Sequence, residues 1–203
     1  MKKSTLGLGL LALLLMLALI SCKKDSKPDN SADNLESAEN NAMAESFYND
    51  VTTLVDVAAY SGTNMTFRTD QEQGILSGCV TVTVDTASVP RNITIDFGSA
   101  NCRCIDGRDR RGKIKASYTG KYKDSGTVIS ITFDNYFVND HQVKGTKTVT
   151  NKGKNTSGNL VYEVQVNGQV VKADNGGTIT WISTRQREWK SGAGTLLNIL
   201  DDV

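Results

Sequence analysis

Three hydrophobic patterns follow one another along the 203 residues. Residues 6–20 run through Leu, Ala, Gly, Met and Ile without a charge, behind Lys2 and Lys3. From Lys23 to about Asn41 almost nothing is apolar, and Pro28 sits among Ser, Asp, Asn, Glu and Lys. Such a stretch buries too little surface to offset the entropy of ordering, so residues 22–41 are expected to be a flexible tether. Over 42–60, Phe47, Val51, Leu54, Val55 and Ala58 recur at spacings that line up one helix face, and Gly62 offers a stop. Beyond Gly74 the period falls to two. Val80, Val82 and Val84, then Ile93, Ile95 and Phe97, then Ile114, Ala116 and Tyr118 alternate with polar residues, as half-buried antiparallel strands do.

The alternation continues over 127–137, 142–150, 160–166, 169–173 and 178–189. Turn formers stand between: Asp106 with Gly107, Asp124 to Gly126, Asn139 with Asp140, Lys152 with Gly153, and Asn175 to Gly177. Asn167 with Gly168 is the sharpest of these signals, since a two-residue turn with positive φ at both positions suits that pair and closes a hairpin from Val166 to Gln169. About eight strands with short connections predict a mainly β fold: an antiparallel meander forming a sandwich or a strongly curved or open-barrel sheet, with one N-terminal amphipathic helix packed on it. No crossover helices separate the strands, which disfavours a parallel α/β arrangement.

The first pattern is that of a signal peptide, because about 15 apolar residues fall short of the ~20 that a spanning helix needs. The run ends in Leu19, Ile20, Ser21, Cys22, which resembles the lipobox of bacterial lipoproteins. That resemblance implies removal of residues 1–21, acylation of Cys22 through its sulfur, and a membrane-lipid anchor holding the tether and a domain spanning 42–203. Lys23 and Lys24 in place of an acidic residue favour the outer membrane. Between Lys23 and Asp50 there are three basic and seven acidic residues, and from Val51 onward 18 and 15. A balance so small gives no reason to expect nucleic acid as a partner.

Cys79, Cys102 and Cys104 would then lie in an oxidising compartment. If 80–84 pairs with 93–97 so that all six apolar side chains share a face, paired numbers sum to 177, Cys79 falls opposite Gly98 and Cys102 is close by. A Cys79–Cys102 disulfide is expected, with Cys104 the alternative partner; Cys102 and Cys104 are too widely separated in an extended chain to bridge each other. Arg103, Arg108, Arg110, Arg111 and Lys113, followed by Lys115, form the densest basic run. They are the candidate contacts for phosphate or carboxylate groups on envelope glycans, against a plainer reading as solvated loop and edge-strand charges. The single His141 supplies neither a metal set nor a catalytic base, so no metal, cofactor or catalytic residue is assigned. Asp85, Asp96 and Asp134 are the carboxylates an enzyme working through paired acids would draw on. Trp181, Trp189, Tyr118, Tyr122, Tyr136 and Tyr162 offer either a sugar-stacking platform or core packing. Asp85, Thr86, Ala87 resembles the short O-glycosylation acceptor of Bacteroidetes, which places a modification on Thr86.

The segments ITIDFG (93–98), Cys102 to Cys104, GRDRRGKI (107–114), YTGKY (118–122), 125–137 and GTKTVTN (145–151) together resemble a group of uncharacterised Bacteroidetes envelope lipoproteins over more than half of the chain. The resemblance implies no activity. It does imply further strands and cysteines beyond Val203, so the apolar run 196–200 is expected to begin a missing C-terminal piece. The resulting expectation is a membrane-anchored, non-catalytic binding or scaffold protein whose partner is an envelope glycan or protein. The alternatives are a carbohydrate- or lipid-active enzyme and a chaperone-like carrier of lipid or polypeptide.

Overall fold

The computed structural model describes residues 31–61, 65–66, 76, 78–85 and 87–190. Among the described residues there is one helix, α1 (Ser31–Ser61), and it buries the stripe its spacing predicts: Phe47, Val51, Leu54, Val55 and Ala58, joined by Ala44 and Tyr48. The helix begins at Ser31, inside the stretch read as tether, which corrects that boundary. Ala32, Leu35, Glu36, Ala38 and Glu39 are good helix formers, and extending an existing helix costs far less than starting one. Leu35 to Glu39 are exposed, so this extension is helical without being buried. No helix among the described residues is long and apolar enough to cross a membrane.

The strands are β1 (Met65–Thr66), β2 (Thr81–Asp85), β3 (Arg91–Asp96), β4 (Cys102–Arg103), β5 (Asp109–Tyr118), β6 (Val128–Val138), β7 (His141–Lys154), β8 (Leu160–Val171) and β9 (Thr178–Trp189). They form one antiparallel sheet in the order β1-β2-β3-β5-β6-β7-β8-β9, with β4 paired to the start of β5. The sheet is open, and α1 lies against one face of it. β2 and β3 pair in the register expected, Val82 with Ile95 and Val84 with Ile93, so the six apolar side chains do share a face. The helix reaches Arg110 on β5 through Asp50 and Arg185 on β9 through Glu45. Those strands are four spacings apart, ~19 Å at ~4.8 Å each, against a helix ~10 Å across, so the sheet must curve around α1 for both contacts to form.

Two glycines shape that inner face. On β6 the buried positions change parity, from Ile129 and Ile131 to Tyr136 and Val138, and a bulge against Arg111 to Lys113 absorbs the extra residue. Gly112 opposite it has φ +81, and a Cβ there would lie 1.9 Å from the Asn135 carbonyl oxygen.

The second case overturns a predicted turn. Asn167 and Gly168 do not close a hairpin; β8 runs straight through them, pairing Asn167 with Thr146 and Gly168 with Gly145. The two-residue turn with both φ positive falls instead at Asn139 and Asp140, which joins β6 to β7. Gly168 is needed for close approach: a Cβ would meet the Tyr48 hydroxyl at 1.9 Å. Tyr48 sits fully buried in that gap, its hydroxyl donating to the Lys144 carbonyl at 2.7 Å with the Gln169 carbonyl 3.2 Å away. Lys152 with Gly153 is likewise a bulge within β7 and not its end.

Replacing Gly168 by Ala should therefore push Tyr48 out of its seat and lower unfolding free energy by about 1–3 kcal/mol, the usual cost of overfilling a packed site. Urea unfolding checks this. A near-neutral Gly168→Ala would mean that the ring does not occupy the gap.

Candidate functional site

Two polar clusters flank the apolar stripe of α1, each built from residues four apart on the helix. On one side Ser46 and Asp50 meet the residues leading into β5. Arg110 is fully buried, on the same parity as Ile114, Ala116 and Tyr118, and its guanidinium donates to Asp50 at 2.6 Å and to both oxygens of Asp106 at 2.8 and 2.6 Å. Arg108 lies 3.3 Å from Asp50 and donates to Ser46 at 2.9 Å. Burial alone would raise the Asp106 carboxyl, but the hydrogen bond and charge of Arg110 outweigh it and hold the group below its ordinary range. Burial pushes the Tyr136 phenol, close by, well up.

The rest of the basic run is also paired within the chain. Arg103 bonds Asp109 at 3.0 Å, and Lys113 bonds Asp96 at 2.8 Å. Arg111 pairs with Asp140, donates to Asn101 and covers the Phe137 ring at 3.9 Å. Lys115 bonds Asp134 at 2.7 Å. Five candidate anion contacts thus each face a carboxylate already, and most sit in or beside β5 and not in a solvated loop. The hydrogen bonds of Lys113 and Lys115 depress Asp96 and Asp134, respectively, and Asp85 is depressed by its bonds to Ser88 and Ala87. A general acid needs the opposite shift.

Cys79 and Cys102 stand at disulfide distance, their Cα atoms 6.0 Å apart across 23 residues. Cys104 is buried, with its sulfur 3.7 Å from the Cys102 carbonyl oxygen. His141 is a strand residue whose Nδ1 accepts from the Ala173 amide at 3.0 Å, with its ring 5.8 Å from Phe47. No group of three or more His, Cys, Asp or Glu among the described residues could hold a metal ion. Tyr118, Tyr136 and Tyr162 are core residues, while Tyr122 stacks on Tyr162 at 4.7 Å with Trp189 edge-on. Cys22 and Thr86 lie outside the described residues, as does the run 196–200.

The second cluster was not foreseen. Glu45 and Asn49, on the other flank of α1, meet β9: Glu45 pairs with Arg185, and Arg187 donates to the Asn49 amide oxygen at 2.7 Å. Between helix and edge strand lies a hollow of about 20 Å³, floored by Lys147 and walled by Val164 and Val166. Lys147 is 1% exposed and donates to the Tyr48 backbone carbonyl at 2.6 Å. Burial first, then the charges of Arg187 and Arg185, bring its ammonium down to about 7, against an opposing pull from Asp56. A signal for it existed: on β7 Lys147 shares the parity of the buried Val143 and Val149, where alternation calls for an apolar side chain.

The chain matches no protein-family model, no curated protein and no solved structure. What the geometry defines is an architecture, an open antiparallel sheet curved around a helix, with buried charge on both helix flanks.

Two outcomes follow. Changing both Asp50 and Asp106 to Asn strands the Arg110 guanidinium and should cost roughly 3–5 kcal/mol, whereas Arg110→Met, which removes the buried charge itself, should cost clearly less. Chemical denaturation of both variants decides it; equal losses would mean that the ions are not coupled. For Lys147, between about 7 and the ordinary 10.5 the unfolded chain binds a proton that the folded chain does not. Stability should therefore rise with pH across that window, with the penalty complete below it. Lys147→Met should be no less stable at neutral pH and should remove this slope. A slope equal in both proteins would place its origin elsewhere.

Proposed function

We propose that this chain is a lipid-anchored envelope protein whose β domain binds or scaffolds a partner at the membrane surface without catalysing a reaction. The observation that carries the reading is the order of the N-terminal elements: two lysines, an uncharged apolar run, then Leu19, Ile20, Ser21, Cys22. Acyl chains at Cys22, each holding by ~0.8 kcal/mol per buried CH₂, would anchor the mature chain, most simply in the outer membrane. The Cys79 and Cys102 pair at disulfide distance agrees with an oxidising compartment. The non-catalytic half of the reading is supported by Asp96, Asp106, Asp134 and Asp140, all held in the charged form by cations of the chain itself. Charges spent on holding helix and sheet together are poorly placed for proton transfer.

Mass spectrometry of the protein from fractionated cells should find the N-terminal peptide starting at an acylated Cys22, in the membrane fraction. An unmodified Cys22, or a chain that retains residues 1–21, would contradict the anchor. Capture of the lipidated protein from membranes, with glycans and lipids analysed beside proteins, tests the binding role; a Cys22→Ser protein released from the membrane serves as the control.

A further inference from the structure

The hollow between α1 and β9 has a chemistry that its structural surroundings leave incomplete. An ammonium carries three donors, and among the described residues the Lys147 Nζ makes one hydrogen bond, to the Tyr48 carbonyl. Val164 and Val166 line the space together with Ser183 and Asn49, yet among the described residues neither of these polar side chains accepts from Lys147, and an unmet buried donor costs more than one in water. Three cations, Lys147, Arg185 and Arg187, line the space with one carboxylate, Glu45, which is already paired with Arg185. The field of a second carboxylate, Asp56, favours the protonated lysine without offsetting burial. At the rim, Arg187 donates to the neutral Asn49 amide, and its charge acts on the Glu45 carboxylate through space without a direct ion pair among the described residues. A space of about 20 Å³ admits a water-sized group and not a whole ligand.

We propose that this hollow is a binding site for an anionic oxygen, presented by a carboxylate or phosphate at the end of a larger molecule, with Lys147 at its floor and Arg187 at its rim. The anion supplies the acceptor that the Lys147 ammonium lacks and offsets the two arginine charges beside it. Val164 and Val166 keep the local dielectric low, so the charge–charge attraction there is stronger than at an exposed lysine. The body of the ligand extends outward past Trp181, which lines the same opening. The site goes beyond the five arginines and lysines of the basic run, whose charges the chain neutralises itself. It adds a ligand class to the binding role proposed above and rests on that reading only for its biological meaning: an unacylated Cys22 would leave the site intact, and a failure to bind anions would leave the anchor intact.

Binding is linked to protonation. Glu45 on α1 is held charged by Arg185, Arg185 is raised in turn by its bond to Glu45, and Tyr48 is pushed up to about 12, so among these groups Lys147 is the one that titrates near neutrality. Anion binding must draw a proton onto Lys147 and weaken as pH rises.

Acetate, whose own charge is constant over the range, is the first probe. Titrated into the full chain at about pH 6 and about pH 9, with chloride matching the ionic strength, it should bind saturably and weaken roughly a hundredfold between the two, the full change expected when one proton is required. Inorganic phosphate is the second arm, and the tighter of the two anions at about pH 6 identifies the head group. The Trp181 indole resonance reports occupancy. Lys147→Met should abolish saturation, and Arg187→Gln, at an exposed position, should weaken it about tenfold with the fold intact. If Lys147→Met does not fold, the Arg187→Gln titration and the pH dependence still decide. Absence of saturable binding by both anions, or binding unchanged in Arg187→Gln, would overturn the proposal and leave a hollow that holds only water.

Discussion

The architecture depends on one close approach, that of the Tyr48 ring to the backbone of Gly168. A helix laid on a sheet normally stands off by the length of the side chains between them. Here a residue without a Cβ lets an aromatic ring enter the sheet wall, where its hydroxyl hydrogen-bonds backbone oxygen on β7, with a β8 carbonyl also within reach. The carbonyl of the same residue accepts from Lys147. Tyr48 thus fixes the helix in depth, through the ring, and along its axis, through hydrogen bonds at both ends of the residue. The apolar stripe from Phe47 to Ala58 supplies most of the burial, but burial is non-directional and would tolerate a slide by one turn. The Tyr48 seat does not.

Once α1 is placed, the charges on its flanks follow. Ser46 and Asp50 face the Arg108 and Arg110 side, while Glu45 and Asn49 face Arg185 and Arg187. These contacts draw both halves of the sheet toward the helix, which explains how one open sheet can bury a core without a second sheet behind it. The two buried cations differ in how they are compensated. Arg110 has two carboxylates and a planar fork that matches them, so its charge is satisfied by the chain. Lys147 is buried with one backbone carbonyl as its hydrogen-bond partner among the described residues, and burial first, then the charges of Arg187 and Arg185, bring its ammonium down to about 7. One cluster holds the fold together; the other is electrostatically unfinished.

Much of this was legible from residue order. Alternation located β2, β3 and β5 to β9, helical spacing named the buried face of α1, and face-matching placed Cys79 near Cys102 through the Val82 to Ile95 register. What misled was local chemistry with a tertiary purpose. Asn167 with Gly168 carries the strongest hairpin signal in the chain, yet its glycine is there for a ring contributed from 120 positions earlier. The helix start was hidden because polarity argues against burial, not against helix: α1 begins at Ser31, and Leu35 to Asn41 is helical while largely exposed. Arg110 and Lys147 were readable as charged residues on apolar parity, but a basic cluster and a Thr-rich strand masked the parity of each. Nothing in the order of residues could show that β9 curls back far enough to bring Arg185 and Arg187 over the same helix.

The most direct measurement of the central claim is a nuclear Overhauser spectrum of the folded protein. Contacts between the Tyr48 ring protons and the Gly168 α protons are predicted, together with strand-type contacts from Gly168 to Gly145. Their absence, or a pattern across Val166 and Gln169 that marks a closed two-residue turn, would show that the helix is not seated in the sheet wall and would contradict the account.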